Sequence, residues 1–283
     1  MTAQYISPAE FVAALDRASL RRTTPNGAGD VVWRIWGRGH PLVLLHGGTG
    51  SWMHWVRNIE FLAPDFMLVV PDIPGSGESA NPEPPISAER IAMSISMGLD
   101  TIIGADTPFA IAGFSMGGLI AGYVVRQCGA RARSLVLVGA TATGAPRVEM
   151  EPLKSWRRLP TEAEKLEAHR KNLGILMIHD PSNIDALALY VQARNADQSR
   201  VRGKHVSHTG TLGNCLPGMA GRLAGIWGEY DATAVPYLGE RREKLREFRP
   251  GASFEILPGA GHWVQYEAHE AFNRRLAVLA KPL

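Results

Sequence analysis

Apolar positions along this chain alternate between two rhythms. Short, dense apolar runs occur at residues 30–36, 41–45, 66–70, 109–112, 134–138, 224–228 and 252–257. Their length and β-branched or aromatic content predict buried strands. Longer stretches with helical spacing fall between them, at 52–62, 87–104, 119–128, 235–248 and 264–279. Ser87 is the expected cap of the second of these, and Ser7-Pro8-Ala9-Glu10 predicts a capped helix near the start, with proline at its first position. Beyond the first two strands, strand and helix alternate, which implies a mostly parallel sheet covered on both faces, with any site at the C-terminal ends of the strands. The rhythm stops between 141 and 216, where 161–173 and 183–196 look helical and no core strand is evident. The expected organisation is therefore a core of residues 1–140 and 217–283 with an inserted helical lid at 141–216. No internal repeat or low-complexity linker interrupts it.

Composition narrows the partners. Of 283 residues, 45% are hydrophobic and 20% charged, which suits a globular chain able to bury a sizeable core. The net charge of +3 is spread among acids, as in Glu240-Arg241-Arg242-Glu243-Lys244, and the densest basic segment, Arg200-Val201-Arg202-Gly203-Lys204, has no interleaved aromatics. Nucleic-acid binding is not expected. Cys128 and Cys215 form neither a disulfide framework nor a zinc knuckle, the N-terminal segment lacks a signal pattern, and the longest mostly apolar stretch, 109–125, is short for a membrane span. A cytoplasmic protein without a membrane span is the expectation, and a homodimer is left open.

Candidate chemistry begins at Gly113-Phe114-Ser115-Met116-Gly117-Gly118, where a serine sits on a predicted strand-to-helix turn. Side chains at Gly113 and Gly117 would collide with the neighbouring strand and helix, so the glycines let the turn lift the Ser115 hydroxyl above the sheet. A serine hydroxyl needs a base, and His262, in a loop beyond the strand at 252–257, is the candidate. The imidazole in turn needs an acid to orient it. Asp231, just past the strand at 224–228, is favoured, with Glu229 and Asp72 as competing carboxylates. The order Ser115, Asp231, His262 is that of an α/β-hydrolase triad. Backbone N–H groups of Gly48, in Leu45-His46-Gly47-Gly48-Thr49-Gly50, and of Met116 are the expected oxyanion donors. The glycine pattern fits neither a dinucleotide fingerprint nor a phosphate loop, and His40, His46 and His54 are irregularly spaced, so neither cofactor nor metal is expected.

Residues 30–141 and 221–280 resemble the α/β-hydrolase superfamily. Leu45-His46-Gly47-Gly48, Pro74-Gly75-Ser76-Gly77-Glu78-Ser79, the Ser115 turn and Gly261-His262-Trp263 occur in the family's order. Ser-Met-Gly-Gly, Gly261-His262-Trp263-Val264-Gln265-Tyr266-Glu267, Phe272-Asn273, and Arg57-Asn58 after Trp52 resemble the meta-cleavage-product hydrolases, which cut carbon–carbon bonds of ring-fission dienoates. That group usually has asparagine where this chain has Phe114, and another near His54. The resemblance makes Phe114, His54, Trp263 and Arg194 candidate substrate contacts, Arg194 as a lid cation for the dienoate carboxylate or simply an exposed helix residue. A phenyl ring at 114 favours a less polar acyl group. The expected activity is carboxylic ester hydrolysis of a small molecule, with dienoate cleavage as the alternative enzyme and a ligand receptor on the same scaffold as the alternative class.

Overall fold

The computed structural model describes residues 7–27, 29–146, 148–208 and 210–281, with only the backbone of Lys204. Helix α1 (Pro8–Arg17) starts as its sequence dictates, the Ser7 hydroxyl accepting the Glu10 N–H. Strands β1 (Leu20–Asn26), β2 (Gly29–Trp36) and β3 (His40–Leu45) follow. Next come α2 (Ile59–Leu62), β4 (Phe66–Pro71), α3 (Ala88–Ile103), β5 (Phe109–Phe114), α4 (Met116–Cys128) and β6 (Ala132–Val138). Beyond β6 lie α5 (Glu162–Asn172), α6 (Ala186–Gln198) and α7 (Gly203–Ser207), with no strand among the described residues until β7 (Arg222–Gly228). The chain closes with α8 (Leu238–Phe248), β8 (Ser253–Leu257), α9 (Val264–Glu267) and α10 (His269–Ala280).

All eight strands form one sheet in the order β1-β2-β4-β3-β5-β6-β7-β8. Strand β2 pairs antiparallel with β1 and β4, and every other pairing is parallel. The strands are apolar on both sides because both sides are covered. Leu42 and Leu44 face one core with Phe272 and Leu276, while Val43 and Leu45 face the other with Ile95, Leu119 and Val124.

Three expectations differ from the observed elements. Strand β1 goes unpredicted because it is an edge strand, mostly exposed and containing Pro25, and so lacks the apolar run that marks its neighbours. The helix expected at 52–62 is a 3-10 turn at Trp52–Trp55 followed by α2. Between them Asn58 is drawn into long-range bonds, its Nδ2 donating to the Gln265 carbonyl (2.8 Å) and to Asn273 Oδ1 (2.7 Å). The last helix breaks into α9 and α10 at Ala268, whose backbone leaves the helical region at φ −107°, ψ 38°. Among the described residues no helix is long and apolar enough to cross a membrane.

Candidate active site

Strands β3, β5, β6, β7 and β8 are consecutive neighbours, so the loops leaving their C-terminal ends converge. Those loops carry Gly48, Ser115, Gly139, Asp231 and His262 respectively. Ser115 stands between β5 and α4 with φ 52° and ψ −117°, a conformation costly for any residue with a Cβ. The strain is held in place by its surroundings. The Ser115 N–H donates to the Val138 carbonyl (2.8 Å), and its carbonyl accepts from Gly118 N (3.0 Å). A Cβ at Gly117 would strike the Leu45 and His46 carbonyls, and one at Gly113 the backbone of Gly117 and Gly118.

His262 and Asp231 are both buried. The imidazole Nδ1 lies 2.9 Å from each Asp231 carboxylate oxygen. Thr233 secures the carboxylate, its N–H (2.8 Å) and hydroxyl (2.7 Å) both donating to Oδ1, and its hydroxyl oxygen lies 3.3 Å from His262 Nδ1. A buried carboxylate needs compensation, and Arg241 of α8 supplies a cation whose guanidinium donates to the carbonyls of Thr233 (2.6 Å), Ala234 (3.1 Å) and Tyr237 (3.1 Å). Burial pushes the Arg241 pKa down, with Asp231 opposing the shift. Room for the pair depends on Gly139, where a Cβ would lie 3.1 Å from both Asp231 Oδ2 and His262 Nδ1. Of the competing acids, Glu229 is exposed and accepts the Gly259 N–H (2.9 Å). Asp72 instead receives Arg34, the Trp52 N–H and the Glu78 N–H.

The β3 loop is held by two imidazoles that grip Gly47 at both of its polar groups. His46 Nδ1 donates to the Gly47 carbonyl (2.8 Å) while its Nε2 accepts the Ile73 N–H (2.9 Å). His54 Nδ1 accepts the Gly47 N–H (3.2 Å). Both rings are neutral in these roles. Burial pushes the His54 pKa well down, with the neighbouring His46 and His262 adding to it, and burial also lowers His46, against the pull of Asp72 and its bond to Gly47. With the Gly47 N–H engaged, the next donor along the loop is Gly48. Met116 opens α4, so its N–H has no carbonyl four residues back within the helix. These are the two expected oxyanion donors, and Gly203 of α7 packs against both residues: a Cβ there would be 2.7 Å from Gly48 Cα and 3.3 Å from Met116 Sδ.

The expected substrate contacts divide. Phe114 is buried with its ring centroid 4.9 Å from that of His262 and 5.3 Å from that of His54. Trp263 is equally buried and braces the His262 loop, its Nε1 donating to the His54 carbonyl (2.9 Å) and its ring stacking on Tyr266 at 4.2 Å. His54 is 2% exposed and is committed to Gly47. Arg194 lies exposed on α6, while its buried neighbour Asn195 accepts the Ser51 hydroxyl (2.6 Å). Helical spacing turns 188, 191 and 195 inward and leaves 194 on the flank of the helix. Arg57 and Asn58 serve packing, Arg57 pairing with Asp185 and lying 4.0 Å over the Tyr266 ring. No local motif marks the roles of Thr233, Arg241, Gly139 and Gly203; only Thr233, two residues past the acid, has a suggestive position, while Arg241 and Gly203 sit in segments whose sequence shows only scattered charge.

Comparison with known proteins agrees with this architecture. Residues 42–275 match the Alpha/beta hydrolase family. A 2-hydroxy-6-oxo-6-phenylhexa-2,4-dienoate hydrolase of Burkholderia cepacia is 27% identical over 253 residues, covering 84% of this chain and 86% of that protein. Among solved structures, the esterase RhEst1 from Rhodococcus sp. ECU1013 superposes with a TM-score of 0.76 at 19% identity, over 92% of this chain and 98% of its own. A meta-cleavage product hydrolase from Pseudomonas fluorescens IP01 does so with a TM-score of 0.70 at 22% identity, over 91% and 96%. At such identities the structural likenesses speak for the fold alone, whereas the family match spans most of the chain. The chain belongs to the alpha/beta hydrolase family.

Proposed function

We propose that this hydrolase cleaves carboxylic esters through a Ser115–His262–Asp231 triad, with the insertion at 141–216 acting as a lid. His262 Nε2 takes the Ser115 proton as Oγ attacks the ester carbonyl, while Nδ1–H stays on Asp231, which stabilises the imidazolium. The Gly48 and Met116 N–H groups receive the oxyanion. Collapse breaks the C–O bond, His262 returns the proton to the departing alcohol, and water, deprotonated by the same imidazole, releases the acid from Ser115.

The observation that carries the ester reading is Phe114, buried beside Ser115 with its ring against His262. The resembling dienoate hydrolases usually have asparagine there, and a phenyl ring offers a polar dienoate no hydrogen bond. The exposure of Arg194 on α6 supports the same reading, since it leaves no buried cation at that position for a dienoate carboxylate. Carbon–carbon cleavage is the second reading, favoured by the similarity to the Burkholderia enzyme over most of both chains. A panel of p-nitrophenyl esters of graded acyl length, assayed beside a coloured ring-fission dienoate, separates the two. Turnover of esters is expected, and turnover of the dienoate alone would refute the ester assignment.

A further inference from the structure

Glu267 closes the 261–267 stretch that resembles the dienoate hydrolases, yet the triad gives it no task. It is partly buried and forms no ion pair among the described residues. Its carboxylate instead collects four N–H donors. Oε2 accepts from Gly261 N (2.7 Å) and His179 N (3.0 Å), and Oε1 from Asp180 N (2.7 Å) and Asn183 Nδ2 (3.3 Å). Gly261 immediately precedes His262, whereas the other three donors belong to the insertion, between α5 and α6.

The same seam is closed by further contacts. Trp263 N donates to the Met177 carbonyl (2.7 Å). A Cβ on Gly261 would lie 2.7 Å from His179 N and 3.0 Å from the Met177 carbonyl, so loop and insertion meet backbone to backbone. The His179 ring stacks on Tyr230 at 3.8 Å and 10°, directly beside Asp231. The insertion thus touches the loops of both the base and its acid at one place.

A carboxylate has about four acceptor sites, and here all are used in charge-assisted bonds. Glutamine in its place keeps the shape but accepts at one oxygen only, and either orientation of its amide sets an NH2 group against two N–H donors. We infer that Glu267 is a positioning residue, tying the His262 loop to residues 177–183 so that the imidazole is aligned with Ser115 only while that segment of the insertion is docked. This rests on the triad reading given above.

The test is Glu267→Gln, followed by steady-state hydrolysis of p-nitrophenyl acetate and by the rate at which a fluorophosphonate labels Ser115, both normalised to folded protein by near-ultraviolet circular dichroism. Misplacing the base by a fraction of an ångström to one ångström should lower kcat and the labelling rate together by about 10- to 100-fold, with KM within about twofold. Wild-type kcat and labelling in the folded variant, or a change confined to KM, would overturn the inference. A wild-type chain that fluorophosphonate does not label is the separate failure of the triad reading. Should Glu267→Gln not fold, Gly261→Ala decides, because its methyl would lie 2.7 Å from His179 N, 3.0 Å from the Met177 carbonyl and 3.2 Å from Glu267 Oε2, and so forces the same tie apart while the Glu267 charge is kept. A kcat at least about tenfold lower is expected there, and an unchanged kcat overturns the inference.

Discussion

Asp231→Asn preserves volume at a fully buried position and so perturbs only charge and hydrogen-bond polarity. Thr233 decides how the amide sits. Its N–H and hydroxyl, 2.8 and 2.7 Å from Oδ1, select the asparagine oxygen for that position. The NH2 group is left where Oδ2 was, 2.9 Å from His262 Nδ1. Two N–H groups cannot face each other there, and the ring relieves the conflict by moving its proton to Nε2. An Nε2–H imidazole cannot take the Ser115 proton. Complete inversion of the tautomer is worth about ten-thousandfold in kcat where a comparable substitution has been made in a serine protease. Here Oδ1 also stands 2.9 Å from Nδ1, so it retains part of the productive tautomer. The expected loss in kcat is therefore about 10²- to 10⁴-fold, or about 3–5.5 kcal/mol at about 1.4 kcal/mol per tenfold. Initial rates with p-nitrophenyl acetate, checked by the fluorophosphonate labelling rate, measure it, and KM should change by no more than a few-fold. A kcat within tenfold of wild type, or a loss confined to KM, would refute the assigned acid.

Arg34→Met should cost about 3–5 kcal/mol in urea unfolding, because it leaves Asp72, whose side chain is 1% exposed, without the guanidinium 3.1 Å away; a loss under about 1 kcal/mol would contradict this. His46 and His54 are held below the ordinary value of 6.5 in the folded chain, so below that pH the unfolded chain binds more protons than the native one. Their contribution is fully present above pH 6.5 and lost as pH falls toward the depressed folded values, and a melting temperature rising from pH 7 to 5 would overturn the assignment of neutral rings. Gly203→Ala should push the insertion off Gly48 and Met116 and lower kcat/KM for a short ester by about tenfold or more, and wild-type kinetics would show that this contact is not needed. Burial raises the Cys215 thiol to about 12, so iodoacetamide at pH 8 should spare it in the native protein and modify it in urea; rapid native modification, read by mass spectrometry, would disprove this.

Much of the candidate site is legible in the sequence because its backbone demands are local. Glycines around Ser115 mark a turn that only they permit, and the strand preceding each of Gly48, Ser115, Asp231 and His262 is a dense apolar run. What escaped notice lacks a local mark. Strand β1 has the polarity of a loop because one edge of it pairs and the rest is exposed. The grip of His46 and His54 on Gly47 depends on which way two rings point, and Glu267 is bonded to residues 84 to 88 positions away.

Taken by itself, the sequence determined the alternation of strands and helices, the interruption between β6 and β7, and the residue types able to supply nucleophile, base and acid, because hydrophobic period and turn chemistry act over a few residues. Packing between distant segments is what brings Asp231 rather than Glu229 or Asp72 to His262, leaves Arg194 in solvent and sets Phe114 against the imidazole. Those outcomes depend on which strands are neighbours and on which distant acceptors receive Arg241, Thr233 and residues 179–183: carbonyls for the first, the Asp231 and Glu267 carboxylates for the others. Such pairings join segments far apart in the chain, and no local pattern encodes them.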